Sequence, residues 1–281
     1  MTHVFISVDM EGIAGVATPA QVHRGTDDYE RSRALMAGEV NAAIEGAYAG
    51  GATRVTVNDG HGDNANLRPE ELDTRATLLM GQPKLAGGMM AGAQDAHIAL
   101  LIGYHAAAGT TGAVLDHTVS GGAFARIRVD GEVWGEADVN AAIAAQFGTP
   151  IGLVTGDDKV CRSFASRYPL GPHAMALTVD VKASLGNGVI HSLHPEVARE
   201  RIQIAAEAAV TRVAAATADT RPEPPAPHSL RATLRRTAQA DHCMLVPGTV
   251  RASAYDVEYA CTDALELRNM LKLFSITAAA A

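Results

Sequence analysis

Two carboxylates, Asp9 and Glu11, stand directly after the apolar run Val4 to Val8 in "FISVDMEG", with only Met10 between them. Asp59 and His61 follow a second apolar run in "VNDGHGD", His105 follows a third in "LIGYHA", and Glu136 comes straight after "VWG". Carboxylate oxygens and imidazole nitrogens suit zinc or another divalent transition metal with an exchangeable position, whereas a closed structural zinc site more often uses thiolates. Three carboxylates gathered without a cation repel and raise one another's pKa. Two divalent ions resolve this and leave room for a bridging hydroxide. Singly, each residue has a plainer reading. An acid just past a strand favours the N-terminus of a following helix, and a lone histidine is usually a surface or satisfied core residue. Capping does not account for histidines at two further strand ends, so Asp9, Glu11, His61, His105 and Glu136 are read together as a metal-binding group. His3, His23, His97 and the five histidines from His173 to His242 keep the plainer reading.

These residues need elements that bring them to one rim. Runs apolar on both faces belong inside a sheet, and they recur at Val4 to Val8, Arg54 to Val57, Ile98 to Ile102 and Ile151 to Thr155. Between the first two lies "DDYERSRALMAGEVNAAIEGAYAGG", with apolar and small residues at helical spacing and a Gly50-Gly51 stop. Strand, helix, strand in this order predicts an α/β fold with a mostly parallel sheet and flanking helices. In such sheets ligands gather outside the carboxyl ends of the strands. "ARIRVDGEVWG" reads as a β-hairpin turning at Asp130-Gly131, followed by a helix from about Glu136. "TGDDK" at Thr155 to Lys159 is a fourth strand end with acids, and helix capping is its better reading. Beyond Pro169 a strand in "MALTVDVKA", a helix from Pro195 to about Ala218, the proline-rich connector "RPEPPAPHS", alternating runs at Leu230 to Leu234 and Val250 to Val257, and a helix around Ala264 to Phe274 suggest a smaller α+β part. The expected division is an α/β metal-binding core over residues 1–168 and a C-terminal α+β part over 169–281, or the two as one compact unit.

The chain has 281 residues, 47% hydrophobic and 19% charged, enough to bury a large core. Its net charge of -8, with basic residues scattered, argues against nucleic acid as a partner. The one basic cluster, "RATLRR" at Arg231 to Arg236, reads as a solvated face. Three cysteines lie far apart without CxxC spacing, which is neither a disulfide framework nor a thiolate zinc site. No apolar run reaches the roughly 18 residues that span a bilayer, so no membrane partner is expected. The N-terminal apolar stretch has no basic flank, and the expected location is the cytoplasm.

In order along the chain, "SVDMEGIAG", "VNDGHGDNANL", "GYHA", "GAVLDHTVSG", "VWGEADVNA", "GDDK" and "VPGT" resemble the peptidase M55 family, the D-aminopeptidases of the DppA type. The resemblance implies an aminopeptidase with two Zn2+ per chain, acting on short peptides with an N-terminal D-residue, often D-alanine, and assembled as a ring-shaped homo-oligomer. It puts the family's zinc ligands on Asp9, Glu11, His61, His105 and Glu136, and its catalytic histidine on His117, which the reading of strand ends does not reach. On chemical grounds His117 serves as general acid/base rather than covalent nucleophile. Asp116 before this histidine and the Gly121-Gly122 pair after it depart from the family pattern, as does the proline content of residues 217–229.

Two adjacent metals, with Asp9 as bridge, would activate a shared water and polarise the scissile carbonyl. Another two-metal hydrolase such as a phosphoesterase uses the same ligand types. Phosphate sites add Arg or Lys clamps, however, and the sequence offers only Arg68 near the rim. A cytoplasmic peptide-binding protein without turnover and a metal-stabilised scaffold are the non-catalytic alternatives.

Overall fold

A computed structural model describes residues 1–85, 87–168, 176–215, 222 and 228–281. The first half runs β1 (His3–Val8), α1 (Pro19–Val22), α2 (Asp27–Ala49), β2 (Arg54–Asp59), β3 (Ala76–Leu79), β4 (Ile98–Tyr104), β5 (Phe124–Val129), β6 (Glu132–Val133) and α3 (Glu136–Gln146). It continues with β7 (Ile151–Asp157), α4 (Asp158–Arg167), β8 (Leu177–Gly186), β9 (Val189–Ser192), α5 (Pro195–Ala215), β10 (Ser229–Leu234), α6 (Thr237–Cys243), β11 (Val250–Arg251), β12 (Asp256–Ala260) and α7 (Ala264–Ala279).

β1 and β4 are buried along their whole length, as their unbroken apolar runs require, and they pair in parallel at the middle of a seven-stranded sheet of order β3-β2-β1-β4-β7-β8-β9. Every pairing in this sheet is parallel except β8 with β9. From β1 the chain builds outward through β2 and β3 on one side and returns to β4 on the other. The strand order therefore reverses between β1 and β4, which opens a crevice at their carboxyl ends.

Alternation along the central strands divides two cores. Val4, Ile6, Val8, Leu100 and Ile102 pack under α2 and α5. Phe5, Leu101 and Tyr104 point to the other side, toward α3, α7 and a second sheet. α2 starts where Thr26 Oγ1 accepts the Tyr29 N–H at 3.0 Å, with Asp27, Asp28 and Glu30 favouring its N-terminus. The second sheet is five-stranded and antiparallel, of order β11-β12-β10-β5-β6. Its β5–β6 turn is Asp130-Gly131, both left-handed at φ 50° and 87°, the expected hairpin geometry.

Differences from expectation are local. The helix predicted to end near Phe274 continues to Ala279, because Ala278 still buries against α6 and its neighbours. The strand Ala76–Leu79 is short and half-buried, too weak a pattern to stand out in the sequence. The alternating run Val250 to Val257 divides into β11 and β12, joined by the turn Ser253 to Asp256. Most of the proline-rich connector, and the end of the helix expected to reach Ala218, lie outside the described residues. Strands from either side of residue 168 pair in both sheets, β7 with β8 and β5 with β10.

Candidate metal centre and active site

The acids after β1 do not cap a helix, since turns follow them until Pro19. Instead the chain crosses to β4: the Asp9 N–H donates to Ile102 O at 2.9 Å and the Gly12 N–H to Gly103 O at 2.7 Å. A Cβ on Gly12 would stand 1.9 Å from Tyr104 O, so only glycine lets the loop lie this close. Lys182, fully buried on β8, donates to the Glu11, Ile13 and Val16 carbonyls and fixes the loop. Asp59, the last residue of β2, is committed to structure: its carboxylate accepts from Asn66 N and Nδ2 and from Leu67 N, folding the loop that presents His61. His105 follows β4, and Asp157 accepts the neighbouring Ala106 N–H at 3.0 Å while capping α4 at Lys159 and Val160. The first acid of "GDDK", Asp157, thus caps a helix, as read from the sequence, while Asp158 accepts the Ser184 N–H at 2.7 Å. Glu136 opens α3, which the buried chain Asn140 Nδ2 to Tyr104 Oη to Ser7 Oγ ties to β4 and β1.

All six expected residues meet here. Asp9, Glu11, His61, Glu136 and His117 line one cavity of about 850 Å³, with His105 buried behind them and stacked on His117 at 4.1 Å and 7°. Each histidine has one ring nitrogen against a backbone carbonyl. His61 Nε2 faces Val22 O at 2.8 Å, His105 Nδ1 faces Ala106 O at 3.0 Å, and His117 Nδ1 faces Leu115 O at 3.0 Å. A carbonyl only accepts, so those nitrogens carry the hydrogen. The opposite nitrogens then present lone pairs to carboxylates, an arrangement favourable only with added protons or with a cation between them.

The spacing fits a cation of zinc's size. His61 Nδ1 lies 3.2 Å from Asp9 Oδ1 and 2.9 Å from Glu11 Oε2. His105 Nε2 lies 3.4 Å from Asp9 Oδ2 and 3.5 Å from Glu136 Oε1, and His117 Nε2 lies 3.5 Å from the same Glu136 oxygen. Zinc bonds of about 2.0–2.1 Å in a tetrahedron put neighbouring ligand atoms about 3.3 Å apart, so these pairs are spaced like edges of a coordination shell. His105 Nε2, buried with no hydrogen-bond partner among the described residues, fits the same account. Asp9 turns one oxygen to His61 and the other to His105. Ligand atoms cluster in two overlapping groups, Asp9, Glu11 and His105, and His105, His117 and Glu136.

Charge coupling is correspondingly strong. Burial pushes the Asp9 carboxyl up, but His105 and His61 override it and hold it well below the usual carboxylate range. Glu136 is likewise lowered against its burial, by His105 and then His117. Burial disfavours a charged His61, yet Glu11 and Asp9 raise its pKa well above an ordinary imidazole; Asp9 and Glu136 do the same for His105. Positive charge is what the pocket demands, and a bound metal ion would supply it.

The family model for peptidase M55, described as D-aminopeptidase, matches residues 2–273. The chain belongs to the peptidase M55 family. A D-aminopeptidase of Bacillus subtilis (strain 168) is 31% identical over 265 residues, covering 94% of this chain and 93% of its own. The solved structure described as the Zn-dependent D-aminopeptidase DppA from Bacillus subtilis, a self-compartmentalizing protease, superposes with a TM-score of 0.89 at 28% identity, covering 100% of this chain and 99% of that one. This chain is thus a metallo-aminopeptidase of the D-aminopeptidase class, with the α/β fold expected from its sequence.

Within this M55 fold, one site feature departs from the sequence reading. Arg68, the cation expected near the rim, is paired with Glu30 and Glu71 and does not line the cavity. Lys84, Arg235, Arg268 and Lys272 line it instead, carried in from loops and helices far along the chain. His23 also lines it, and Met89 fills a wall while Met90 joins the core. The His117 loop carries a signal that no motif encodes: Leu115 and Val119 are left-handed at φ 51° and 64° on either side of the histidine. Such backbone costs on the order of 1–3 kcal/mol per residue and gathers at functional sites.

Proposed function

We propose that this M55 chain is a zinc-dependent aminopeptidase that removes an N-terminal D-residue such as D-Ala from short peptides, with two zinc ions per chain. The observation that carries this reading is the set of three histidines, each anchored through one nitrogen on a carbonyl and facing carboxylates at ligand-shell spacing with the other. Asp9, Glu11, His61, His105 and Glu136 would hold the ions, and Asp9 turns one oxygen to His61 and the other to His105. Bound zinc supplies a Lewis acid for the scissile carbonyl and lowers the pKa of a water toward neutrality.

The chain's own residues do the rest. His117 is the least buried of the three histidines, with 22% of its side chain exposed against 9% for His61 and 0% for His105. Its Nδ1–H is fixed on Leu115 O, so Nε2 is the atom that takes a proton from water and gives it to the departing amine. Val119 N–H donates to Glu136 Oε1 at 2.8 Å, coupling the His117 loop to the ligand set. The free α-amino group of a peptide finds Asp9, Glu11, Glu136 and Asp116 in the same cavity.

The self-compartmentalizing description of the similar DppA structure supports a ring-shaped homo-oligomer here. Among the described residues no helix is long and apolar enough to cross a membrane, and Cys161, Cys243 and Cys261 are free and buried. Free thiols favour a reducing compartment, and we place the enzyme in the cytoplasm. The cations lining the cavity remove the sequence argument against a phosphoesterase, so family membership carries that choice. Elemental analysis together with amine release from D-Ala and L-Ala dipeptides tests the reading: about two zinc per chain and faster release from the D-peptide are expected. A metal-free protein that zinc, cobalt and manganese all fail to activate would overturn it.

A further inference from the structure

The cavity carries acids on one wall and cations on another. The metal-centre side is acidic, whereas the stripe that α7 turns toward the cavity carries Arg268, Asn269 and Lys272. The opposite stripe of α7, with Leu267, Leu271 and Phe274, is fully buried, which fixes the helix and the direction its polar face takes. We propose that Arg268 anchors the C-terminal carboxylate of the substrate, so that the enzyme selects short peptides with a free carboxyl end. The proposal rests on the aminopeptidase reading for the orientation of the peptide.

Arg268 is singled out among the cavity's arginines by being half-buried with no acid beside it, whereas Arg235 is exposed. Lys84 Nζ is bound to Asn58 Oδ1 and Asp59 O, and the Arg235 Nε–H donates to Gly121 O at 2.5 Å. Among the described residues Arg268 makes one side-chain hydrogen bond, from Nη1 to the Asn269 Oδ1 at 3.0 Å, and no carboxylate pairs with it. Its half-burial lowers its pKa with no acid offsetting the effect. A partly desolvated guanidinium without an anion is costly unless something supplies one. The site is also built to receive it: the guanidinium lies where a Cβ on Gly88 would stand, 2.5 Å from that position at Nε and 2.6 Å at Nη2, and Gly88 is left-handed at φ 60°.

The neighbourhood is continuous with the metal centre. Met89, next to Gly88, packs on Gly60 beside His61 and accepts from Asn140 Nδ2 at 3.3 Å. A planar fork with free N–H groups matches a carboxylate in bidentate fashion, while Lys272 offers only a point charge. A zwitterionic short peptide would thus lie with its amino end on the acidic wall and its carboxylate on α7.

The test compares D-Ala-D-Ala with its C-terminal amide, using the zinc-loaded wild type, R268Q and K272Q. Wild type should favour the acid by about 10- to 100-fold in KM with kcat little changed, the size expected for a charge-assisted carboxylate contact. R268Q should abolish that preference at unchanged zinc content, and K272Q should keep it. Equal handling of acid and amide by wild type, a preference that survives in R268Q, or one that is lost in K272Q instead would overturn the assignment. If R268Q does not fold, the wild-type comparison and K272Q still decide. If no peptide is hydrolysed, the aminopeptidase reading fails separately, and calorimetric binding of the same two peptides applies the same criterion to Arg268.

Discussion

His61, His105 and His117 share one device, a ring nitrogen locked on a carbonyl, yet their surroundings assign them different work. His61 and His105 lie between two carboxylates each, whereas His117 faces one carboxylate, Glu136, and opens to the cavity. H61A and H105A should therefore each lose zinc, measured by elemental analysis. H117A should retain it while kcat falls by about 10²- to 10⁴-fold, the usual loss for a general acid/base. A metal-depleted H117A would move His117 into the ligand set, consistent with its place beside His105 and Glu136. The strand-end residues were legible because β-strands of a parallel sheet end on a common rim. His117 lies in an irregular loop, so only its resemblance to the family pointed to it. Arg268 was not legible at all, because its meaning depends on α7 folding back over Gly88 from 180 residues away.

At the scale of elements, the loop after β1 carries Asp9 and Glu11 without regular structure of its own, and its rigidity comes from β8. The Lys182 ammonium serves three of its carbonyls, Glu11, Ile13 and Val16. Burial lowers the lysine pKa to about 8, with Asp157, Glu39 and Glu11 opposing the fall. K182M fills much the same volume but leaves those carbonyls unsatisfied, which should cost on the order of 3 kcal/mol in urea unfolding and weaken zinc affinity through Glu11. A K182M protein with wild-type stability and zinc affinity would show that the loop holds itself. The central strands and α2 were readable from unbroken apolar runs, helical spacing and a Gly-Gly stop, while the Thr26 cap of α2 emerged only in the fold. Lys182 was not, since the alternation of "TVDVK" reads only as an ordinary strand whose lysine faces solvent. The sheet pairing that turns it inward, toward the loop after β1, is long-range.

For the whole molecule, the pairings β7 with β8 and β5 with β10 cross residue 168 in both sheets, and we propose that the chain unfolds as one unit. A fragment of residues 1–168 would expose the edge of β7 and the core under α7, so it should fail to show the sharp thermal transition of the full chain; a cooperative melt of that fragment would restore the two-part division. pH acts on the same assembly through Glu39, which lies in α2 between the loop after β1 and α5. Its Oε1 accepts the Ala14 N–H at 2.8 Å while Oε2 has no partner among the described residues. Burial raises its pKa from the ordinary 4.5 to about 7, against the lowering effects of Ala14 and then Lys182 and Arg199. Between these two values the folded chain holds a proton that the unfolded chain has released, so this group's contribution favours folding most below pH 4.5. The contribution fades as pH rises and is gone above pH 7, a swing of about 3 kcal/mol. E39Q cannot ionise and lacks the swing. The stability of E39Q relative to wild type should therefore climb as pH goes from 4.5 to 8, measured by denaturant titration at each pH. A difference that stays flat over that range would mean that Glu39 is ionised in the fold throughout, held by Lys182 and Arg199 more firmly than burial opposes it.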